Sequence, residues 1–175
     1  QTIIVASQFT ALSLEHAPFD IPKPIVIPYG CPDPVDRLYP CTPSSKASKL
    51  KVLYVGKMGQ LKGISYLLKA MEGLEPIAQL TLVGRKVNTT QDLDQKIHQH
   101  AYTSSLPHHE ILALMHEHDV LVFPSIFEGF GLVVTEALSQ GIPVIATPHT
   151  CAADLIDHGK DGFIVPIRNY EKIQE

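Results

Sequence analysis

From about residue 50 onward, short apolar runs of strand length alternate with longer segments of helical period in this 175-residue chain. The runs are nearly unbroken in Val, Ile and Leu, which is typical of strands buried on both faces. Parallel strands need a crossover long enough to hold a helix. The sequence therefore predicts an α/β fold, a doubly wound, Rossmann-like parallel sheet. The predicted strands lie near Lys51–Val55, Gln79–Val83, Val120–Phe123, Val144–Ala146 and Phe163–Val165.

Two of the intervening segments have the spacing of a helix with one apolar face. The segment Ile64–Met71 places Ile64, Leu67, Leu68 and Met71 together, and Pro107–His118 does the same with Ile111, Leu112, Leu114 and Met115. We expect these side chains to belong to the core rather than to contact a cofactor.

Prolines dominate the region before the first predicted strand of the sheet. Residues 18–43 hold eight of the fourteen prolines, which excludes regular helix and predicts a linker with one short strand, Ile25–Pro28. The chain begins with a strand-like run, Thr2–Ala6, and stops within a helix-like run, Tyr170–Glu175. We therefore expect a fragment with further sequence on both sides.

Charge and hydropathy exclude several classes of protein. The net charge is −4 and the basic residues are scattered, so a nucleic-acid partner is not expected. The apolar runs are far shorter than the roughly 20 residues of a membrane-spanning helix. A signal peptide is not recognisable either, and the predicted location is cytoplasmic.

Neither the cysteines nor the histidines have the spacing of a metal site. Cys31, Cys41 and Cys151 are odd in number and lack CxxC spacing, which predicts reduced, structural thiols. The histidines at 108, 109, 116 and 118 are close in sequence. Residues two apart on a helix face different directions, so we expect solvated side chains and no metal.

The first strand-to-helix turn is rich in glycine and lysine. Residues 56–63 follow the strand Lys51–Val55 and contain three glycines and two lysines, a composition that suits a phosphate. A tight turn with solvated lysines remains the alternative. The turn matches neither the phosphate-binding motif GxxxxGK[ST] nor the dinucleotide-binding motif GxGxxG. The second strand is followed by Gly84, Arg85 and Lys86 without an acidic residue, which disfavours a nicotinamide dinucleotide site.

A second turn follows the strand Val120–Phe123 and leads into a short helix closed by Gly141 and Pro143. Glu128 lies in the loop and Glu136 about one turn into the helix. Two carboxylates that bracket a helix N-terminus can bind hydroxyl groups on either side of an anion held by the amides. The turn therefore suits a nucleotide-sugar, although Glu136 alone could be a surface charge of the helix and Glu128 alone a partner of the helix dipole.

Residues Glu128 through Glu136 resemble the E-x7-E motif of the retaining group 1 glycosyltransferases, which have the GT-B fold. The similarity extends over 124–147, Tyr54–Lys57 with Lys62–Gly63, Leu82–Gly84 and Asp161–Pro166, and covers most of residues 50–168. It implies that the sheet is the C-terminal domain of a GT-B fold and binds a nucleotide-diphospho-sugar donor.

The resemblance also implies the roles of individual residues. Glu128 would hold the transferred sugar and is the candidate catalytic residue, Glu136 would bind the ribose, and Lys57 and Lys62 would neutralise the diphosphate without a metal or other cofactor. Base recognition is expected near Arg85 and the loop Ala101–Leu106. Lys57 stands where the family usually has arginine. The full set of implied donor-binding residues is Gly56, Lys57, Lys62, Arg85, Gly129, Phe130, Gly131, Leu132 and Glu136.

Two domains follow from the resemblance. Residues 1–48 are expected to be a remnant of the N-terminal acceptor domain with the Pro-rich interdomain linker, since Ile3–Ser7 and Val26–Gly30 are similar to its last elements. Residues 49–175 are expected to be the nucleotide-sugar-binding Rossmann-like domain, truncated at its C-terminus.

The full-length protein is expected to be a hexosyltransferase of polysaccharide biosynthesis. It would use a glycan or lipid-linked acceptor, in keeping with a peripheral position at the membrane, whereas this chain alone would bind nucleotide weakly and show no turnover. The alternatives are a non-catalytic nucleotide- or glycan-binding module and a GT-B epimerase or phosphorylase.

Overall fold

The computed structural model describes residues 2–34 and 49–175. Its strands are β1 (Ile4–Val5), β2 (Ile25–Val26), β3 (Leu50–Val55), β4 (Ala78–Val83), β5 (Ala101–Thr103), β6 (Val120–Phe123), β7 (Val144–Ala146) and β8 (Gly162–Ile164). Its helices are α1 (Gln8–Leu14), α2 (Ile64–Met71), α3 (Gln91–Ile97), α4 (His108–Glu117), α5 (Leu132–Ser139), α6 (Ala152–Leu155) and α7 (Glu171–Gln174), with a 3-10 turn at Gln60–Lys62. Within these ranges, no helix has both the length and the apolar character needed to cross a bilayer.

The main sheet is a six-stranded parallel sheet in the order β5-β4-β3-β6-β7-β8. From β3 the chain steps outward through β4 to β5, returns to the other side of β3 as β6, and continues outward to β8. This confirms the predicted doubly wound, Rossmann-like sheet. In such a sheet the ligand crevice lies where the order reverses, beyond the carboxyl ends of β3 and β6.

The core consists of the central strands and the helix faces that cover them. Leu53, Tyr54 and Leu121 are fully buried in β3 and β6. All four apolar residues predicted for α2 are buried, and in α4 Met115 is buried while Ile111, Leu112 and Leu114 pack partly buried against the same cluster. The core predicted for both helices is thus confirmed. Full burial of each such side chain contributes about 1.5–3 kcal/mol to the stability of the fold.

The prediction of a loop over Ala101–Leu106 is wrong for its first half. Residues Ala101–Thr103 form strand β5, which pairs with β4 in the register Thr81↔Ala101 and Val83↔Thr103. An edge strand of three residues, two of them exposed, has too little apolar pattern to be recognised from sequence.

The N-terminal segment is a second small unit of structure. Strands β1 and β2 pair in parallel, with Ile4 opposite Ile25, and the helix α1, which the sequence analysis did not identify, lies between them. Ser7 caps α1, since its side chain accepts a hydrogen bond from Thr10 N at 3.2 Å. The rest of the predicted linker, residues 35–48 with Cys41, lies outside the described residues.

Candidate functional site

The turns after β3 and β6 meet at the point where the strand order reverses. Gly63 begins α2 with a φ of 66°, and a Cβ added to it would lie 2.0 Å from the carbonyl oxygen of Pro124. Ile126 N donates to Leu61 O at 2.8 Å, and Ser125 Oγ donates to the same oxygen at 3.1 Å. The two turns therefore form one continuous surface.

The turn after β3 is also bound to the turn after β4. Met58 N donates to Arg85 O at 2.8 Å, and Val87 N donates to Met58 O at 3.0 Å. Beneath the first turn, the hydroxyl of Tyr54 donates to Lys57 O at 2.8 Å. Burial raises the pKa of Tyr54, so this hydroxyl remains a neutral donor. Lys57 and Arg85 are held side by side at this edge of the sheet, with exposed side chains.

Lys62 and Glu128 pair directly across the junction of the two turns. Nζ of Lys62 contacts Oε2 of Glu128, and the two side chains are only 23% and 20% exposed. The ammonium also lies 5.9 Å from the ring centre of Phe123. Burial, and then the nearby charge of Lys57, lower the pKa of Lys62. Lys62 and Glu128 thus form a partly desolvated pair at a corner of the site, with the charge of the exposed Lys57 nearby.

Helix α5 begins at this corner. Gly131 caps it with φ 93° and ψ 63°, a left-handed conformation that favours glycine. The first amides of a helix have no intrahelical partner and carry partial positive charge. Here they run from Gly131 into the first turn of α5, and Phe130 directly precedes them. The carbonyl of Phe130 is fixed by Cys151 N at 2.7 Å. The sequence elements proposed for anion binding are thus brought together.

The N-terminal segment holds the loop that carries Glu128. The hydroxyls of Ser7 and Thr10 both donate to the carbonyl of Gly129, each at 2.8 Å. The ring of Phe9 stacks on His149 at 4.6 Å and meets Phe127 edge-on at 5.3 Å. Ser7 itself is fully buried, so the loop has little freedom on this side.

A cleft of 430 Å³ opens between the N-terminal segment and the start of α5. One wall is formed by Val5, Thr10 and Tyr29, and the other by the loop 128–132. The ring of Tyr29 stands edge-on to Phe130, 5.1 Å away at 71°. The carboxylate of Glu128 therefore lies at the border between this cleft and the lysine-rich turn.

Glu136 lies one turn into α5 and has a partner that the sequence analysis missed. Its Oε1 is 3.0 Å from Nε2 of His108, at the start of α4, and its side chain is 18% exposed. The only signal in the sequence was the position of His108 at the start of the predicted helical segment Pro107–His118. Along the chain, Glu128 thus lies in the loop before α5 and Glu136 lies within the helix.

The prediction that the clustered histidines are solvated is wrong for His118. The chain leaves helical geometry there, with φ −112° and ψ 157°, and the ring turns inward. Its nitrogens lie 2.8 Å from Leu114 O and 2.9 Å from Thr81 Oγ1. His116 is half-buried, 2.9 Å from Oε1 of Gln140. In the parts of the chain that the structure describes, no cluster of three His, Cys, Asp or Glu side chains could hold a metal ion.

The two described thiols should differ in reactivity. Burial, followed by the charge of Asp154, raises the pKa of Cys151 to about 12, and Cys151 is fully buried whereas Cys31 is exposed. We expect iodoacetamide at mildly alkaline pH to modify Cys31 and to spare Cys151 until the protein unfolds. Peptide mapping by mass spectrometry measures both sites, and modification of Cys151 at the rate of Cys31 would contradict this placement.

Several known proteins resemble the chain in sequence or in structure. It is 30% identical over 146 residues to an uncharacterized 41.2 kDa protein in the cps region of Klebsiella pneumoniae, a match that covers 81% of this chain and 40% of that protein. It is 30% identical over 120 residues to a glycogen synthase of Mycobacterium tuberculosis, covering 64% and 29%. The chain thus spans less than half the length of these curated relatives.

Solved structures share the fold over nearly the whole chain. Sucrose-phosphate synthase from Thermosynechococcus elongatus superposes with a TM-score of 0.78 and 26% identity, over 99% of this chain and 47% of that one. HepE of Anabaena, solved with UDP and glucose, has a TM-score of 0.78 and 23% identity, over 99% and 51%. The family model for glycosyl transferases group 1 matches residues 42–175. Because this match covers most of the chain, including both turns of the site, the chain belongs to the group 1 family of glycosyl transferases.

Proposed function

We propose that this chain is the donor-binding part of a retaining glycosyltransferase that moves a sugar from a nucleotide-diphospho-sugar to a carbohydrate or lipid-linked acceptor. The observation that carries the proposal is the contact of the Lys62 ammonium with the carboxylate of Glu128, in the loop that leads into α5, whose N-terminus lies along the chain between Glu128 and Glu136. The two carboxylates can accept hydrogen bonds from the hydroxyls of a sugar and of a ribose, and the anion site between them suits the diphosphate that links the two.

The diphosphate is assigned to the corner where α5 begins. The amides of Phe130, Gly131 and Leu132 supply hydrogen bonds and the helix dipole, while Lys62 and Lys57 supply charge. When the bond to the sugar breaks, negative charge grows on the leaving diphosphate, and donors fixed in a water-poor corner stabilise it. We therefore propose leaving-group stabilisation by these groups, without a metal or other cofactor.

The two ends of the donor are assigned to the two glutamates. Glu128 borders the cleft and would accept hydroxyls of the transferred sugar, and Glu136 would accept the ribose hydroxyls. His108, 3.0 Å from Glu136, supports that carboxylate. The base would then lie towards Arg85 and the residues after β5, at 104–106. The UDP held by the structural neighbour HepE is compatible with a nucleotide in this crevice.

The acceptor is proposed to bind on the side of the N-terminal segment. The strands β1 and β2 form a parallel pair whose Ile4 and Ile25 are 61% and 52% exposed, and parallel sheets are ordinarily covered on both faces. This supports a larger acceptor domain built on these strands in the whole protein. The similarity to a glycogen synthase supports a carbohydrate acceptor. Without that domain, we expect this chain to show no sugar transfer.

Calorimetric titration with UDP, GDP, ADP and their sugars tests the donor site. We expect one nucleotide to bind selectively, and Glu136→Ala and Lys62→Ala each to weaken it by about 1–3 kcal/mol. Leu155→Ala, on the exposed α6, is the matched control and should leave affinity unchanged. If no nucleotide binds at millimolar concentration to this chain or to its Glu128→Gln variant, or if neither substitution weakens binding, the donor-site assignment fails. Incubation with donor and analysis of the products separates transfer from epimerisation.

A further inference from the structure

The residues assigned to the diphosphate and to the sugar are paired with each other. Nζ of Lys62 contacts Oε2 of Glu128 across 66 residues of sequence. In the donor complex that we propose, Lys62 faces phosphate oxygens and Glu128 faces sugar hydroxyls. The contact between them then competes with their contacts to the donor, and the rest of this inference rests on that proposed function.

The surroundings make the Lys62–Glu128 ion pair stronger than a fully exposed pair. Both side chains are about four-fifths buried, so the pair is screened by water less than a surface pair. Lys57 adds a second positive charge beside Lys62, and this charge together with burial lowers the pKa of Lys62. A cation in such a corner needs an anion, and the carboxylate of Glu128 supplies it from within the protein.

The same carboxylate opposes an incoming phosphate. Glu128 occupies a hydrogen-bonding direction of the ammonium, and its negative charge repels the diphosphate at short range. A neutral hydroxyl is a poorer replacement on Lys62, because the hydrogen bond of an ammonium to a carboxylate is stronger than its hydrogen bond to a neutral acceptor. A diphosphate can take its place, since it brings at least two negative charges to the same corner.

We propose that the Lys62–Glu128 ion pair is a self-inhibitory contact, which the diphosphate of the donor displaces to release Glu128 for the sugar. Glu128 therefore disfavours a nucleoside diphosphate that lacks the sugar and favours the complete donor. The contact keeps the sugar-binding carboxylate occupied until the phosphates are in place, and it weakens retention of the nucleoside diphosphate product after transfer.

The sign of one substitution tests this proposal. Glu128→Gln keeps the size of the side chain and removes its charge, so we expect the affinity for the nucleoside diphosphate to rise by roughly 3- to 10-fold. Calorimetry with UDP, GDP and ADP is the measurement, and the nucleotide that binds the unsubstituted chain most tightly is used for the comparison. Glu117→Gln, an exposed carboxylate at the far end of α4, controls for the general effect of removing one negative charge.

A second substitution separates the ion pair from other effects of the amide. In a chain that already carries Lys62→Met, Glu128→Gln has no ammonium to release, and the gain in affinity should fall below roughly 2-fold. Equal or weaker binding by Glu128→Gln, or the same gain with Lys62→Met, overturns the self-inhibitory contact and leaves the donor site standing. Failure of every nucleotide to bind both the unsubstituted chain and Glu128→Gln rejects the proposed donor site itself.

Discussion

Replacement of Gly63 by alanine should lower the free energy of unfolding by at least about 3 kcal/mol. The new Cβ would lie 2.0 Å from the carbonyl oxygen and 2.9 Å from the carbonyl carbon of Pro124, and neither atom belongs to a flexible side chain. A φ of 66° adds the cost of left-handed geometry in a residue with a Cβ, about 1–2 kcal/mol. Urea denaturation followed by circular dichroism measures the loss.

Gly73→Ala is the matched control for this substitution. Gly73 has a φ of 82°, and a Cβ added there meets no atom within 4 Å. It should therefore cost only the conformational part, about 1–2 kcal/mol. The difference between the two variants measures how closely the turns after β3 and β6 approach each other. Equal losses would show that the contact of Gly63 with Pro124 is not as close as described.

Phe123→Ala should cost about 3–5 kcal/mol of stability, the usual range for a buried phenylalanine. Its ring is 3% exposed at the carboxyl end of β6, lies 3.1 Å from the position of a Cβ on Gly131 and supports the ammonium of Lys62 at 5.9 Å. A cavity here removes the side chain that packs beneath both the turn after β3 and the turn after β6. We expect the variant, where it remains folded, also to lose affinity for nucleotide.

The same measurement on Phe163→Ala provides the comparison. Phe163 lies in β8, is 50% exposed and is remote from the turns after β3 and β6. We expect a loss below about 1 kcal/mol and unchanged nucleotide binding. If Phe123→Ala and Phe163→Ala lower the stability equally, the packing role assigned to Phe123 beneath the two turns is wrong. If Phe123→Ala destabilises the chain but leaves nucleotide affinity intact, the ring supports the sheet and not the site.

The central strands are the ones whose burial explains why the sequence predicted them. In β6 all four residues are buried, and the last four residues of β3 and of β4 are buried or half-buried, so an apolar pattern is visible without other information. Strand β5 sits at the edge, where Ala101 and Thr103 are exposed, and it left no such pattern. The helix α1 was missed for a related reason, because one buried residue, Ala11, gives no periodicity and the prolines that follow indicated a linker.

For the site, sequence spacing gave the position of each residue along the chain but not its partner. Glu128 and Glu136 could be placed on either side of a helix N-terminus because both are local to α5. The pairing of Glu128 with Lys62 and of Glu136 with His108 depends on the packing of separate turns. His118 shows the same limit, since its ring meets Thr81 of β4 only because the chain turns inward after α4.

The contact of Ser7 with Gly129 sets an order of events during synthesis. The two residues are 122 positions apart. At ribosomal speeds of 5–20 residues per second, Ser7 is therefore synthesised roughly 6–25 s before Gly129. During that interval the apolar face of the N-terminal segment has no loop 126–131 to cover it. Nascent chains that stall before residue 129 should therefore be the ones that chaperones bind through this segment, and completion of the β6–α5 turn is the step that ends the exposure.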